Sequence, residues 1–158
     1  MPSDGKPSTS IRLFSRMLKT RWMVRAPIWL YRARLGLLMG SRLLMLEHIG
    51  RTSGERRFVV LEIVERDAES FIVASGFGNR SQWYRNVSAD PAVRVTFMGR
   101  AAQPAQAELL SPDESQEILA RYAEKHPGAW AMLQPVMEEL NDGDLEGGLP
   151  PLVRFVLT

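Results

Sequence analysis

Residues 43–66 read LLMLEHIGRTSGERRFVVLEIVER, and this stretch decides the fold. Two apolar segments, LLMLEHI and FVVLEIV, flank a turn that contains Gly50, Thr52, Ser53 and Gly54. We expect both glycines to adopt positive φ and both hydroxyl side chains to bond to nearby backbone. The stretch therefore predicts a β-hairpin.

The same turn has the composition of an anion-binding site. Arg51, Arg56 and Arg57 lie within the ten residues HIGRTSGERR. Backbone N–H groups next to glycines, hydroxyl donors and guanidinium groups are the groups that bind phosphate. The stretch by itself leaves two interpretations open, a structural hairpin and a phosphate-binding turn.

The composition excludes several classes of chemistry. The chain has 158 residues and is 45% hydrophobic, which is enough apolar material for one domain with its own core. It has no cysteine, so disulfides, thiolate catalysis and cysteine-bound zinc are excluded. His48 and His126 are far apart and have no obvious ligand partners in the sequence, so we expect no metal site.

Short segments rich in Val and Ile continue after the hairpin. SFIVASG, AVRVTF and AAQPAQAELL are separated by Gly, Asp, Asn or Pro, and PLVRFVLT ends the chain. Strands at this spacing predict an antiparallel sheet that closes into a small barrel. Between them, Ser111, Pro112 and Glu114 predict a capped helix start, and Pro127 predicts another helix that Pro135 kinks. The fold class is α+β.

The positive charge is concentrated near the N-terminus. Residues 1–42 carry nine basic side chains and one acidic side chain, whereas the whole chain has a net charge of +2. We interpret residues 1–40 as a basic amphipathic helical arm, in which Pro27 opens a second helix, and residues 41–158 as the barrel domain. No apolar run is long enough to span a membrane, and no secretory signal is recognisable.

The arm has two interpretations, and the sequence leaves both open. It packs on the barrel with its charged face toward water, or residues 11–34 lie on an anionic membrane surface. In the second case Phe14, Trp22 and Trp29 insert among the lipids. We expect no nucleic-acid partner, because no nucleic-acid motif accompanies the basic residues.

A second group of candidate site residues follows the third predicted strand. In the sequence ASGFGNRSQWYRNV, two glycines first give the backbone conformational freedom. A short helix is then predicted, for which Ser81 is the expected N-cap. The helix N-terminus presents unpaired N–H groups to an anion. Trp83 and Tyr84 either flank a planar ligand or pack the helix on the barrel.

Together these motifs resemble the deazaflavin-dependent nitroreductase family. The resemblance covers roughly residues 28–158 and rests on YRARLG, GRTSGERR, VASGFG, WYRN, a DP before a strand and a late LP. It implies a split β-barrel, FMN-binding-like in fold, with flanking helices. It also implies that the cofactor is coenzyme F-420, an 8-hydroxy-5-deazaflavin with a phosphate and a glutamate tail, in preference to FMN.

The resemblance also assigns a cofactor site. Arg51, Ser53 and Arg57 would meet the phosphate and tail, the backbone after the third strand would line the ring, and the short helix would close the site. The complete set is Arg51, Thr52, Ser53, Arg57, Ala74, Ser75, Gly76, Trp83, Tyr84 and Asn86. The family often has a basic residue at the positions of Thr52 and Gly76.

The implied activity is hydride transfer from reduced F-420 to a small hydrophobic acceptor, namely an enone, a quinone or a nitroaromatic. Ser75 would stabilise the developing enolate, and Tyr122 is the candidate proton donor. The alternative is a non-catalytic deazaflavin- or lipid-binding barrel that is peripheral to the membrane. We expect a cytoplasmic monomer or homodimer, on the inner face of the membrane if the arm docks there.

Overall fold

The computed structural model describes residues 41–76, 78–140 and 149–158, without the side chains of 132, 133 and 136–140. Its elements are β1 (Leu43–Ile49), β2 (Arg56–Arg66), β3 (Ser70–Ala74), a 3-10 turn (Gly78–Arg80), α1 (Gln82–Ala89), β4 (Ala92–Phe97), β5 (Gln103–Leu109), α2 (Pro112–Lys125), α3 (Pro127–Leu140) and β6 (Leu152–Leu157). The predicted arm, residues 1–40, lies outside the described residues.

The six strands form a closed antiparallel barrel in the order β1-β2-β3-β6-β5-β4. The predicted hairpin is confirmed: β1 pairs with β2 from Leu43 opposite Glu62 to Ile49 opposite Arg56. The barrel closes where β4 pairs with β1. Since the three further strands and the last strand form where the sequence predicts them, the α+β barrel prediction is confirmed.

Alternating apolar residues fill the barrel. In a strand, side chains point to opposite faces in turn, so Leu44 and Leu46 of β1 face inward together with Ile63 of β2. Among the described residues, Phe155 has the largest side chain that is completely buried. This inward alternation carries on to His48 at the end of β1, which places a polar residue at one end of the barrel.

Helix α2 packs on the outside of the barrel. Ile118 and Leu119 of α2 contact Ile72 of β3 and Leu152 of β6 in a second apolar cluster. The predicted capping box is confirmed, because Ser111 Oγ accepts from Glu114 N and Glu114 Oε2 accepts from Ser111 N. Helix α3 begins at Pro127, as predicted, and continues through Pro135.

Two local predictions need correction. Gly54 adopts positive φ (69°), but Gly50 is not among the described glycines that do so. A Cβ at Gly50 would instead lie 2.6 Å from Ser53 Oγ, so a side chain there would displace this hydroxyl from its present position. Ser81 occupies the N-cap position of α1, but its hydroxyl makes no capping bond, because it contacts Ser75 Oγ at 2.8 Å.

Candidate functional site

The β1–β2 turn folds around its own backbone. Gly50 N donates to Glu55 O and Gly54 N donates to Gly50 O, both at 2.8 Å. Ser53 Oγ accepts a bond from Glu55 N at 3.2 Å. Because that bond uses the oxygen as an acceptor, the hydroxyl proton of Ser53 remains available to a ligand. Thr52 is exposed in the same turn.

The three arginines of the turn differ in their partners. Arg56 pairs with Glu47 at 3.0 Å, and Arg57 pairs with Glu55 at 3.2 Å. Arg51 instead donates from Nη1 to two neutral amides of α1, Gln82 Oε1 at 3.0 Å and Asn86 Oδ1 at 2.9 Å. Within the described ranges Arg51 has no carboxylate at ion-pair distance, so its positive charge is not balanced by a neighbour.

Asn86 joins the turn to the interior of the barrel. It is only 5% exposed, and its Oδ1 also accepts from Arg51 N at 3.1 Å. On its other side, Asn86 Nδ2 lies 3.1 Å from His48 Nδ1. An arginine has only donors, so Asn86 Oδ1 must face Arg51 and Nδ2 must face His48. His48 therefore accepts at Nδ1.

His48 is neutral in this environment. Burial, together with the smaller effect of the positive charge of Arg57, lowers the pKa of the His48 imidazole to about 4. Arg57 stands directly opposite His48 in the β1–β2 register. A neutral ring with an unprotonated Nδ1 is the form that the bond from Asn86 requires.

The next candidates are Ala74, the last residue of β3, and Ser75 and Gly76, which begin the β3–α1 loop. Ser75 is fully buried, and its hydroxyl donates to Gly78 O at 2.7 Å. Ser75 N donates to Pro151 O at 3.0 Å, which ties the loop to the start of β6. At Gly76 a Cβ would have no atom of the described residues within 4 Å other than those of its chain neighbours. The catalytic role of Ser75 stays a prediction, but its hydroxyl is turned toward the protein.

The two aromatic residues of α1 have different environments. Trp83 is 8% exposed and belongs to the barrel core, with its ring centroid 6.4 Å from that of Phe155. Trp83 thus closes one end of the barrel. Tyr84 packs edge-on against Trp83 at 6.0 Å and is partly exposed, and burial raises the pKa of its hydroxyl.

Tyr122 lies away from this group. Its hydroxyl is 3.2 Å from Glu62 Oε1 and 3.5 Å from Arg42 Nη2, on the outer face of β2. Glu62 is five residues along β2 from Arg57, a separation of about 16 Å in a strand. Burial and the charge of Glu62 raise the pKa of Tyr122. Its predicted role as proton donor stays untested, and this placement gives it other partners.

The structure brings most of the predicted residues to one end of the barrel. The turn that carries Arg51, Thr52, Ser53 and Arg57 is joined to α1 there by the bonds from Arg51 to Asn86. His48 and Gln82 also belong to this group, although neither was among the predicted site residues. The signal for His48 was present, because it is two positions after Leu46 and so shares the inward face of β1.

The opposite end of the barrel has a cavity of about 380 Å³. Its lining includes Phe71, Phe97 and Leu157, with Arg66 and Arg100 at the rim. No residue of the predicted cofactor site lines this cavity. Among the described residues, no group of three or more His, Asp or Glu side chains is placed to hold a metal ion. None of the helices described is both long and apolar enough to cross a bilayer.

Solved structures with similar folds include an F420-H2 dependent reductase (FDR-A). It is 23% identical over 72% of this chain and 93% of that one, with a TM-score of 0.52. A structure titled as a domain-swapped dimer is 20% identical over 80% of this chain and 96% of that one, with a TM-score of 0.51. The heme storage protein HutZ from Vibrio cholerae is 13% identical over 80% and 89%, with a TM-score of 0.50. These likenesses confirm the split β-barrel fold.

A family model gives the functional class. The model described as F420H(2)-dependent quinone reductase matches residues 22–136, which is well over half of the chain. None of the curated proteins compared with the chain matches it. The term F420H(2) denotes the reduced form of coenzyme F-420. The chain belongs to the F420H(2)-dependent quinone reductase family, and it is accordingly a deazaflavin-dependent oxidoreductase whose cofactor is coenzyme F-420.

Proposed function

We propose that the β1–β2 turn binds the anionic part of F-420, its phosphate and glutamate tail, through Arg51, Thr52, Ser53 and Arg57. The main support is the charge state of Arg51. Its guanidinium is held by two neutral amides, so its full charge is available to a ligand. Hydrogen bonds between arginine and phosphate are about twice as strong as neutral ones.

The shape of the turn fits an anion. A Cβ on Gly50 would lie 2.6 Å from Ser53 Oγ and 3.6 Å from Arg57 Nε, so two donor groups approach a residue that has no side chain. Arg57 is 52% exposed at its side chain, and its ion-pair partner among the described residues is the exposed Glu55. Such exposed pairs contribute about 0–1 kcal/mol, so a ligand anion can replace Glu55 at little cost.

We place the deazaflavin ring along the β3–α1 loop. The backbone of Ala74, Ser75 and Gly76 would contact the ring, and the space that the described residues leave around a Cβ at Gly76 supports this placement. Ser75 acts here by fixing the loop through its bonds to Gly78 O and Ser81 Oγ. Tyr84 is the partly exposed aromatic residue of α1 and would flank the ring, while Trp83 supports it from inside the barrel.

The reaction follows from this arrangement. When bound, the reduced deazaflavin supplies a hydride to an electrophilic carbon of the acceptor. Arg51, Ser53 and Arg57 anchor the anionic part and so fix the ring relative to the loop. Solvent supplies the proton, because Tyr122 and the Ser75 hydroxyl bond to other protein groups. The acceptor is a hydrophobic electrophile, and we propose a quinone before an enone or a nitroaromatic, in keeping with the family.

Turnover with reduced F-420 tests this proposal. The protein is mixed with reduced F-420 and a soluble quinone without oxygen, and the formation of oxidised F-420 is followed by absorbance. Parallel reactions use an enone and a nitroaromatic. We expect the quinone to be reduced fastest and the rate to be proportional to protein concentration. Binding of F-420 without turnover of any acceptor would favour the non-catalytic alternative.

We also propose that the N-terminal arm holds the protein on an anionic membrane surface. This rests on the sequence alone, in which nine basic residues lie among Phe14, Trp22 and Trp29 within the first 42 residues. Each basic side chain near an anionic surface contributes about 1 kcal/mol. Docking on the cytoplasmic face would bring the barrel to quinones where they dissolve. In the non-catalytic alternative, the same surface would serve a deazaflavin- or lipid-binding protein.

A further inference from the structure

The side-chain amide of Asn86 uses both lone pairs of Oδ1 and one of its two Nδ2 hydrogens within the protein. Its Oδ1 accepts two bonds, from Arg51 N at 3.1 Å and from Arg51 Nη1 at 2.9 Å. Its Nδ2 contacts His48 Nδ1 at 3.1 Å. Since an amide oxygen has two lone pairs, Oδ1 has no acceptor site left for a ligand. Asn86 is also buried, whereas Arg51 is exposed.

Arg51 and His48 together fix the direction in which the Asn86 amide points. A carboxamide can be turned over, which would exchange its oxygen and nitrogen. The two Arg51 donors require Oδ1 on their side, and the bond from Nδ2 to His48 Nδ1 would also be lost if the amide turned over. His48 itself is held by β1 and is 4% exposed. The series His48, Asn86, Arg51 thus runs from the rigid barrel to an exposed guanidinium.

Asn86 also fixes Arg51 at two points. The backbone N–H of Arg51 donates one bond to Asn86 Oδ1 and the guanidinium donates the other, so the Arg51 side chain is folded back toward α1. Gln82, one helical turn earlier, adds a third bond at 3.0 Å. An arginine loses considerable rotamer entropy when it binds a ligand, and holding it in advance reduces that cost.

We infer that Asn86 and His48 are positioning residues for anion binding, which aim the Arg51 guanidinium at the ligand and do not touch the ligand themselves. This inference rests on the proposed function, in which the β1–β2 turn binds the anionic part of F-420. It changes the role that the family resemblance gives Asn86, from a direct cofactor contact to an indirect one.

A double-mutant cycle on F-420 affinity tests the inference. The four proteins are the wild type, Arg51→Ala, Asn86→Ala and the double variant, with Gln116→Ala, on the exposed face of α2, as the control for loss of a side-chain amide away from the turn. We expect Arg51→Ala to weaken binding by about 10- to 150-fold and Asn86→Ala by about tenfold. The double variant should bind within about twofold of Arg51→Ala, because Asn86 acts only through Arg51. A double variant that is a further tenfold weaker would overturn the inference.

Variants of His48 give an independent readout. His48→Gln offers an acceptor to Asn86 Nδ2 and should keep F-420 affinity within about threefold of the wild type, whereas His48→Leu should lose it as Asn86→Ala does. Equal affinity of the Gln and Leu variants would contradict the positioning role of His48. Thermal unfolding of each variant first establishes that it is folded at the temperature of the titration.

NMR of the protein without ligand separates this inference from the proposed function. The Arg51 Nε–Hε signal should be ordered in the wild type and in His48→Gln, and motionally averaged in Asn86→Ala. An ordered signal in Asn86→Ala would refute the inference whatever the ligand is. If the wild type fails to bind F-420 while these signals behave as expected, the proposed function fails and the positioning of Arg51 stands.

Discussion

Arg51 Nη1 lies 2.9 Å from Oδ1 of Asn86, so a neutral amide holds the first arginine of the β1–β2 turn. The other two arginines of the turn pair with carboxylates. A neutral partner keeps the guanidinium in place without reducing its charge. The turn therefore combines a structural hairpin with a cation that no described carboxylate balances, and the proposed anion site requires such a cation.

Arg56 and Arg57 provide a matched pair of substitutions. They are neighbours on β2 and point to opposite faces of the hairpin, and Arg57 lies opposite His48 at the end of the barrel. We expect Arg57→Ala to weaken F-420 binding by about 1.5–3 kcal/mol, the range for a hydrogen bond to a charged group. Arg56→Ala should change it by less than about 0.5 kcal/mol. Calorimetric titration measures both, and equal losses would show that the turn acts through net charge alone.

His48 should make the stability of the protein depend on pH. Its pKa is lowered to about 4 in the folded state from 6.5, so between these values the unfolded chain binds more protons. The free energy of unfolding should therefore fall as pH decreases from about 6.5 to 4, by up to about 3 kcal/mol from this residue. Urea unfolding of the wild type and His48→Gln at pH 7 and pH 4.5 isolates the contribution. A parallel decrease in both proteins would assign the pH dependence to other groups.

Much of the fold could be predicted because its determinants are local. The capping box of Ser111 and Glu114 and the alternation of apolar residues in β1 and β2 are visible within a few residues, and the structure confirms them. The absence of a capping bond from Ser81 could not be predicted. Its hydroxyl bonds to Ser75 Oγ instead, and the fold of the loop brings these two residues together. Gly50 was identified correctly as a special position but for the wrong physical reason.

The candidate site was predictable in its parts and not in its connections. The arginines and glycines of the turn are evident in the sequence. Asn86 of α1 contacts Arg51, which lies 35 residues earlier in the chain. This contact depends on where α1 packs at the end of the barrel. Tyr122 illustrates the opposite case, since nothing local indicates that α2 lies on the outer face of β2. Tertiary placement, which no short motif encodes, decides both.

Ser75 and Tyr122 can be tested as catalytic residues by kinetics. Both hydroxyls bond within the protein, to Gly78 O and to Glu62 Oε1 respectively. We expect Tyr122→Phe to leave kcat within about twofold of the wild type and to cost about 0.5–1.5 kcal/mol of stability. Ser75→Ala should cost about 1–3 kcal/mol of stability, because it leaves a buried acceptor without its donor. A kcat lower by a factor of about 100 in a folded variant would restore a catalytic role.

We expect the N-terminal arm to bind anionic vesicles. Full-length protein should sediment with vesicles that contain an anionic lipid and stay in solution with neutral ones, and added salt should release it. Substituting glutamine for Arg12, Arg16 and Arg21 should weaken this binding by roughly 3 kcal/mol. The control replaces three exposed arginines of the barrel domain, Arg85, Arg100 and Arg121, and removes the same charge. Equal loss in both triple variants would mean that net charge, and not the arm, directs the binding.

Titration of the wild-type protein with F-420 and with FMN is the most direct test of the central claim, that the turn around Arg51 selects the anionic deazaflavin cofactor. Fluorescence quenching gives the two dissociation constants at low and at high salt. We expect F-420 to bind at least tenfold more tightly than FMN, and the F-420 affinity to fall as salt screens Arg51 and Arg57. Tighter binding of FMN, or an F-420 affinity that does not change with salt, would contradict the account.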